Sequence, residues 1–163
     1  MKENIKSAAE LINNADAILF GAGAGMGVDS GLPDFRGKEG FWRAYPQLKA
    51  LNKSFTDMAS GDLFFDNPEL AWWFYGHRFN LYAKTKPHKG FDILHKLSTK
   101  KPTFVFTSNV DGHFQKSGFN TNQIIECHGS INHLQCSYGC SDNIWKITKL
   151  PFKTNDLNFS IEG

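Results

Sequence analysis

Three cysteines in 163 residues are too few, and odd in number, for a disulfide framework. Two of them, Cys136 and Cys140, stand four apart, a spacing that fits a metal site in a reducing compartment better. No apolar run approaches the roughly 18 residues of a membrane span, and residues 1–11 lack the apolar stretch of a signal peptide. The expectation is a cytoplasmic protein with no membrane partner. Charge of one sign is scarce as well. The formal net charge is +2 with lysines and acids dispersed, so no specific nucleic-acid partner is expected. There is no internal repeat and no low-complexity tract. The length allows one ordinary core and, by default, one domain.

Aromatic residues and glycine are plentiful: 15 phenylalanines, 4 tryptophans and 15 glycines. Most of the rings read as bulky core. Four of the glycines, Gly21, Gly23, Gly25 and Gly27, alternate behind an apolar run at 17–20 that reads as a buried strand. A backbone that bare can come close to a pyrophosphate, with glycine free to take positive φ and a helix opening behind it to add its dipole. Met26 breaks the strict G-x-G-x-x-G spacing, and no second strand ending in an acidic residue follows. A hydride-transferring dehydrogenase is therefore the least favoured reading. The chain runs instead into Pro33, Asp34, Phe35, Arg36 and Gly37, a polar loop with one ring and one guanidinium that reads as a lid or clamp.

Ile5, Ala8, Ala9 and Ile12 predict an amphipathic helix over 2–13. Residues 40–65 are irregular and aromatic, which predicts short helices and loops. Asn67 before Pro68 is a helix start, and Leu70, Trp73, Phe74 and Leu81 then give one apolar face through about residue 83. His77 and Arg78 read as the polar edge of that helix. A second helix over 90–100 turns Phe91, Leu94 and Leu97 inward, with His88 and His95 as cap or surface residues. Residues 103–106 read as a buried strand ending in Thr107, Ser108 and Asn109, with Asp111 close behind, and a short helix over 112–117 stops at Gly118. Ile124 and Ile125 make a third strand that ends in Glu126, Cys127, His128 and Gly129. Open parallel sheets build ligand sites from polar residues at the carboxyl ends of strands, so three strand ends converge on one edge. Beyond residue 135 the pattern has no clean period, and C-S-Y-G-C at 136–140 looks like the start of a small metal-bound insertion.

Taken together, these segments resemble the sirtuins, the family of NAD-dependent protein-lysine deacylases. GAGAGMGVDSGLPDFRG at 21–37 resembles that family's GAG(A/S)…SGIPDFRG signature, TSNVD at 107–111 resembles TQNID, and His128-Gly129 resembles its catalytic HG. The resemblance covers about the first half of a sirtuin catalytic core. It implies an α/β fold: a Rossmann-like parallel sheet with helices on both faces, a helical insertion over about 38–85, and an incomplete zinc-binding insertion. Residues 1–135 would be the partial NAD-binding domain and 136–163 the start of the zinc module.

Carried over by position, the resemblance puts Gly21, Ala22 and Gly23 at the pyrophosphate, and Asp34, Phe35 and Arg36 in the cofactor-binding loop. Phe35 would lie against the nicotinamide end. Asn109 would hold the ribose or a water, Asp111 would bond the nicotinamide amide, and His128 would be the general base. Read on their own, Asp111 is equally a helix cap, Asn109 a turn residue and His128 a structural residue at a strand end. In the implied reaction the acyl-lysine carbonyl oxygen attacks the ribose carbon as nicotinamide leaves. A ribose hydroxyl, deprotonated by an imidazole, then carries the acyl group away as O-acyl-ADP-ribose. The implied partner is an acylated lysine of a protein or peptide, acetyl by default. Rival readings are NAD hydrolysis or ADP-ribosyl transfer in the same pocket, and a non-catalytic NAD-binding remnant.

Three departures bear on these roles. Ser108 stands where the family has glutamine, and His113 and Phe114 stand where it often has leucine and then histidine. No second cysteine pair follows Cys136 and Cys140, and Cys127 reads as a small buried residue. Two of structural zinc's four ligands are then supplied, and weak zinc binding is expected of the chain alone. Half of a doubly wound sheet would leave an unpaired edge, through which self-association is expected.

Overall fold

The computed structural model describes residues 2–35 and 37–163. Helix α1 (Lys2–Asn14) leads into strand β1 (Ile18–Ala22) and a 3-10 helix (Ala24–Ser30). The insertion comprises α2 (Gly37–Ala44), α3 (Pro46–Ala50), α4 (Phe55–Met58), α5 (Leu63–Asp66) and the long α6 (Pro68–Lys84). Then come α7 (Lys89–Ser98), β2 (Thr103–Thr107), the single-turn α8 (His113–Lys116) and β3 (Ile124–Glu126). Two antiparallel hairpins follow, β4 (His133–Gln135) with β5 (Ile144–Lys146), and β6 (Lys153–Asn155) with β7 (Ser160–Glu162).

Local side chains fix several of the boundaries. Asn67 Oδ1 accepts the Leu70 N–H, and Pro68 takes the first position of α6. Ser54 and Asp57 form a reciprocal capping box at α4. His88 caps α7 by accepting the Gly90 N–H on Nδ1.

The first three strands form a parallel sheet in the order β1-β2-β3, with Ala22 opposite Thr107 and Thr107 opposite Glu126. All three carboxyl ends therefore reach the same edge, and β1 runs on through Gly21 and Ala22 because Phe106 and Thr107 pair with them. One face is closed by α7 and α8: Val105 packs with Phe91, Phe114 and Phe119, and Phe20 and Ile124 join at the margin. On the other face Leu19, Phe104, Phe106 and Ile125 remain between 37% and 69% exposed. The runs at 17–20 and 103–106 were expected to be buried throughout, and the structure corrects this. Their side chains alternate between a covered and an open face, and α1 buries none of its own residues.

A second core fills the helical insertion, where Phe41, Tyr45, Leu48, Met58, Trp73 and Phe74 are buried together. Its rings meet mostly edge to face, as in Phe41–Phe74 at 6.1 Å and Tyr45–Trp73 at 6.0 Å, the arrangement that aromatic quadrupoles favour. The last hairpin seals this core. Trp73 packs edge-on to Phe159 at 4.8 Å and donates its indole N–H to Asp156 Oδ1 at 3.0 Å. Gly76 permits the approach, since a Cβ there would sit 2.9 Å from side-chain atoms of Phe152 and Thr154.

Candidate active site

The three strand ends are tied together largely by backbone groups. The Ser108 N–H donates to the Ala22 carbonyl at 3.1 Å, and the Cys127 N–H to the Thr107 carbonyl at 2.9 Å. Asn109 closes its own turn, donating its N–H to Thr107 Oγ1, and its side-chain amide donates to the Gly23 carbonyl, both at 3.0 Å. His128 stands exposed in the turn that Gly129 closes by donating to the Glu126 carbonyl at 3.0 Å.

The glycine turn works differently from the expectation. None of Gly21, Gly23, Gly25 and Gly27 has positive φ, and the helix behind them is 3-10, a form with poorer hydrogen-bond geometry than an α-helix. The need for glycine here is space. A Cβ on Gly21 would meet nothing within 4 Å, and one on Gly23 only Ser108 Oγ at 3.6 Å. The chain itself leaves that volume open, so the bare backbone is available to something outside it.

A cleft of about 1330 Å³ lies against this edge of the sheet and runs between the helical insertion and the β4–β5 hairpin. That exceeds the roughly 300–1,000 Å³ of sites for one small molecule. Asp34, Phe35, Ser108, Asn109, Asp111 and His128 all line it. Six of the sequence-selected residues are thus brought together from three separate segments. Gly21, Ala22 and Gly23 lie beyond its lining at the end of β1, and Ala24 and Gly27 carry the turn to the wall. Arg36 lies outside the described residues. Phe35 has left-handed backbone, φ 49, a conformation that costs a non-glycine residue about 1 kcal/mol. Its ring stacks on Phe55 at 5.0 Å and Tyr45 at 5.9 Å, so the insertion core anchors the loop.

Arg78 corrects the reading of α6. It is only 6% exposed and lines the cleft instead of forming a polar helix edge. Its guanidinium lies over the rings of Phe35, Phe55, Phe74, Tyr75 and Tyr82 at 5.3–5.9 Å, and donates to Tyr82 Oη at 3.2 and 3.1 Å. Among the described residues no ion pair includes it. A signal was present in the sequence, because Phe74, Tyr75 and Tyr82 sit four before, three before and four after Arg78, on the same stripe of the helix. His77 is half-buried on α6, with Nδ1 3.0 Å from Tyr45 Oη. Glu126, also on the cleft wall, has its carboxyl pKa pushed up by burial, against the hydrogen bonds of Gln115 and Ser130.

Cys136 lines the far end of the cleft, and its Sγ lies 2.8 Å from that of Cys140. That separation is longer than a disulfide, about 2.05 Å. It is shorter than the edge of a zinc-thiolate tetrahedron, about 3.8 Å for bonds of about 2.3 Å. Among the described residues no third His, Cys, Asp or Glu gathers with them. Cys127 is exposed, a correction to its reading as a buried residue. Among the described residues, then, Cys136 and Cys140 supply two of the four ligands that a structural zinc takes.

Fold and cleft together define an α/β protein whose ligand site stands at the carboxyl ends of a parallel sheet. Residues 23–157 match the Sir2 family, and the chain belongs to that family. It is 36% identical over 145 residues to an NAD-dependent protein deacylase of Candida albicans, covering 86% of this chain and 45% of that protein. With an NAD-dependent protein deacylase of Aquifex aeolicus it shares 35% identity over 130 residues, 79% of this chain and 50% of that one. A solved Sir2 homologue carrying three substitutions, in complex with 2′-O-acetyl ADP ribose, superposes with a TM-score of 0.72 at 25% identity, covering 89% of this chain and 55% of that one. The chain thus spans about half the length of the curated relatives it matches.

Proposed function

We propose that this chain carries the NAD-binding and catalytic side of an NAD-dependent protein-lysine deacylase. The observation that carries the reading is the convergence of Asp34, Phe35, Ser108, Asn109, Asp111 and His128 on one cleft, beside a glycine turn whose Cβ positions are open. NAD supplies an electrophilic ribose carbon when its nicotinamide departs. The residues here bind, shield and move protons around that carbon. Gly21, Ala22 and Gly23 receive the pyrophosphate along the open backbone. Asp111, 7% exposed, presents a carboxylate to the nicotinamide amide, and Phe35 shields that end from water. Asn109 holds the ribose or a water, and its own amide is oriented by the Gly23 carbonyl. His128, exposed at the mouth, takes the proton from a ribose hydroxyl. The shorter Ser108 leaves a wider ribose pocket than glutamine would.

Arg78 extends this reading to the substrate. A buried cation on the cleft wall, ringed by aromatic faces and, among the described residues, without a carboxylate partner, favours an acyl group that ends in a negative charge. An acylated lysine bearing a carboxylate at its tip is therefore the favoured substrate class over plain acetyl. Zinc would find two of its four ligands in Cys136 and Cys140, with two to come from elsewhere.

The test is nicotinamide release from NAD by the 163-residue chain, with and without acetyl- and succinyl-lysine peptides, beside His128→Ala. Release that requires peptide and collapses in His128→Ala supports the deacylase. Release without peptide would turn the reading to NAD hydrolysis. No release from a folded, NAD-binding chain would leave a binding module.

A further inference from the structure

Asp111 has a neighbour that the chemistry above does not use. His113 is fully buried at the start of α8, its ring edge-on to Phe91 at 5.5 Å. Neither of its ring nitrogens has a hydrogen-bond partner, an exception in protein interiors, where most buried polar atoms are bonded. Its backbone N–H donates to Asp111 Oδ1 at 2.9 Å. Asp111 Oδ2 is turned the other way, 3.7 Å from where a Cβ on Gly27 would lie, and Gly27 lines the cleft. One carboxylate oxygen is held by the backbone of α8, then, and the other lies beside a residue of the cleft wall.

The remaining titratable groups that face His113 are already engaged. Lys116, on the same helix, donates its ammonium to the Tyr82 carbonyl. His88, at the cap of α7, accepts from Gly90 on Nδ1 and donates from Nε2 to the Met26 carbonyl at 3.1 Å, so both its ring nitrogens are engaged. From the segment between α6 and α7 the Thr85 backbone comes close enough to favour the protonated ring, without completing a hydrogen bond. Asp111 is the acid whose charge acts on its ring, and Glu126, at the end of β3, is a second carboxyl group whose charge interacts with that of Asp111.

We infer that His113 is a positioning residue that sets the charge Asp111 presents to the cleft. With a neutral imidazole behind it, Asp111 faces the cleft as a full anion and favours a cationic ligand group. With an imidazolium behind it, that charge is cancelled and the group is held more weakly. Burial pushes the His113 pKa below the ordinary histidine value, against the pull of Asp111, so the imidazole is neutral at neutral pH and takes up its proton only on the acid side of that value. The cationic group is the nicotinamide ring of NAD, and in this the inference rests on the function proposed above. Linkage makes the effect reciprocal: NAD bound at Asp111 makes His113 harder to protonate.

Two measurements test it. In the wild-type chain, the His113 ring is titrated by NMR with and without NAD, its signal assigned through His113→Leu. NAD affinity is measured by calorimetry from about pH 7.5 to about pH 5.5. The expected results are a downward move of the His113 titration on adding NAD and a loss of affinity of about fivefold across that range. His113→Leu is expected to bind NAD at the higher pH as the wild type does and to lose most of the dependence. NAD binding that leaves the His113 titration in place would overturn the inference, as would identical pH profiles for the two proteins. If the variant does not fold, the wild-type titration alone decides. Absence of NAD binding at every pH would overturn the functional reading, and the inference with it.

Discussion

Replacing Gly23 by alanine should separate binding from folding. The residue has φ −138 and ψ −173, extended backbone that alanine adopts freely. Its new Cβ would make only an ordinary contact, 3.6 Å from Ser108 Oγ. At such a position Gly→Ala stabilises by about 0.4–1 kcal/mol, by restricting the unfolded chain. For a chain of this size that is a rise in melting temperature of about 1–4 °C. The methyl group would stand in the space assigned to the pyrophosphate and displace at least one charge-assisted hydrogen bond, worth about 1.5–3 kcal/mol. Affinity for NAD should therefore fall about 10- to 150-fold. Thermal melting by circular dichroism and calorimetric titration with NAD read the two effects separately. Wild-type NAD affinity in a folded Gly23→Ala chain would refute the reasoning, because the glycine would then have no ligand to make way for. A melting point several degrees lower would show that the turn is glycine-rich for its own packing.

Arg78→Met should reduce turnover of a succinyl-lysine peptide at least tenfold more than that of an acetyl-lysine peptide, and equal losses in paired kinetic assays would remove Arg78 from acyl selection. Gly76→Ala gains about 1 kcal/mol of helix propensity. It also forces Phe152 and Thr154 away from 2.9 Å contacts, at about 1–3 kcal/mol, so urea unfolding should show net destabilisation of up to about 2 kcal/mol. A stabilised variant would mean that the last hairpin yields without strain. Burial pushes the pKa values of His77 and His113 down, so the unfolded chain binds more protons than the folded one below about pH 6.5. Their contribution to stability is whole above that pH and is lost as pH falls. Glu126, pushed up, opposes it as pH rises above the ordinary carboxylate value. In a Glu126→Gln chain, which removes the opposing carboxyl, the urea midpoint should rise between about pH 5 and pH 7, and a flat or falling midpoint there would contradict the assignment of both histidines. Zinc added to the reduced chain should be surrendered readily to a chelator in a colorimetric assay, whereas stoichiometric, chelator-resistant zinc would reveal ligands beyond Cys136 and Cys140.

Where a local rule decides structure, the sequence was informative. Asn67-Pro68 announces α6 because a side-chain cap and a missing N–H act within one helical turn. The three strand ends announce the cleft because parallel strands with intervening helices bring their polar ends to one edge. What escaped depends on distant partners. Arg78 looks like a surface charge until α4 and the 34–35 loop bring Phe55 and Phe35 over it. The exposed outer faces of Phe104 and Phe106 run against the pattern, since the covered face of β2 carries Thr103, Val105 and Thr107 and the open one the two phenylalanines. Residues 151–163 looked like part of a metal module, yet they pack on α6, through rings that have no period of their own. In the sequence the glycine turn reads as a conformational device, and the structure gives it a spatial reason.

The hydrogen bond from Trp73 to Asp156 joins residues 83 positions apart. At ribosomal speeds of roughly 5–20 residues per second, α6 leaves the ribosome about 4–17 s before the hairpin that seals it. Through that interval the flank of Trp72, Trp73 and Gly76 is open, wide and aromatic. The vulnerable period for this chain is therefore during synthesis, and slow translation through 74–156 should favour capture by chaperones or aggregation over productive closure.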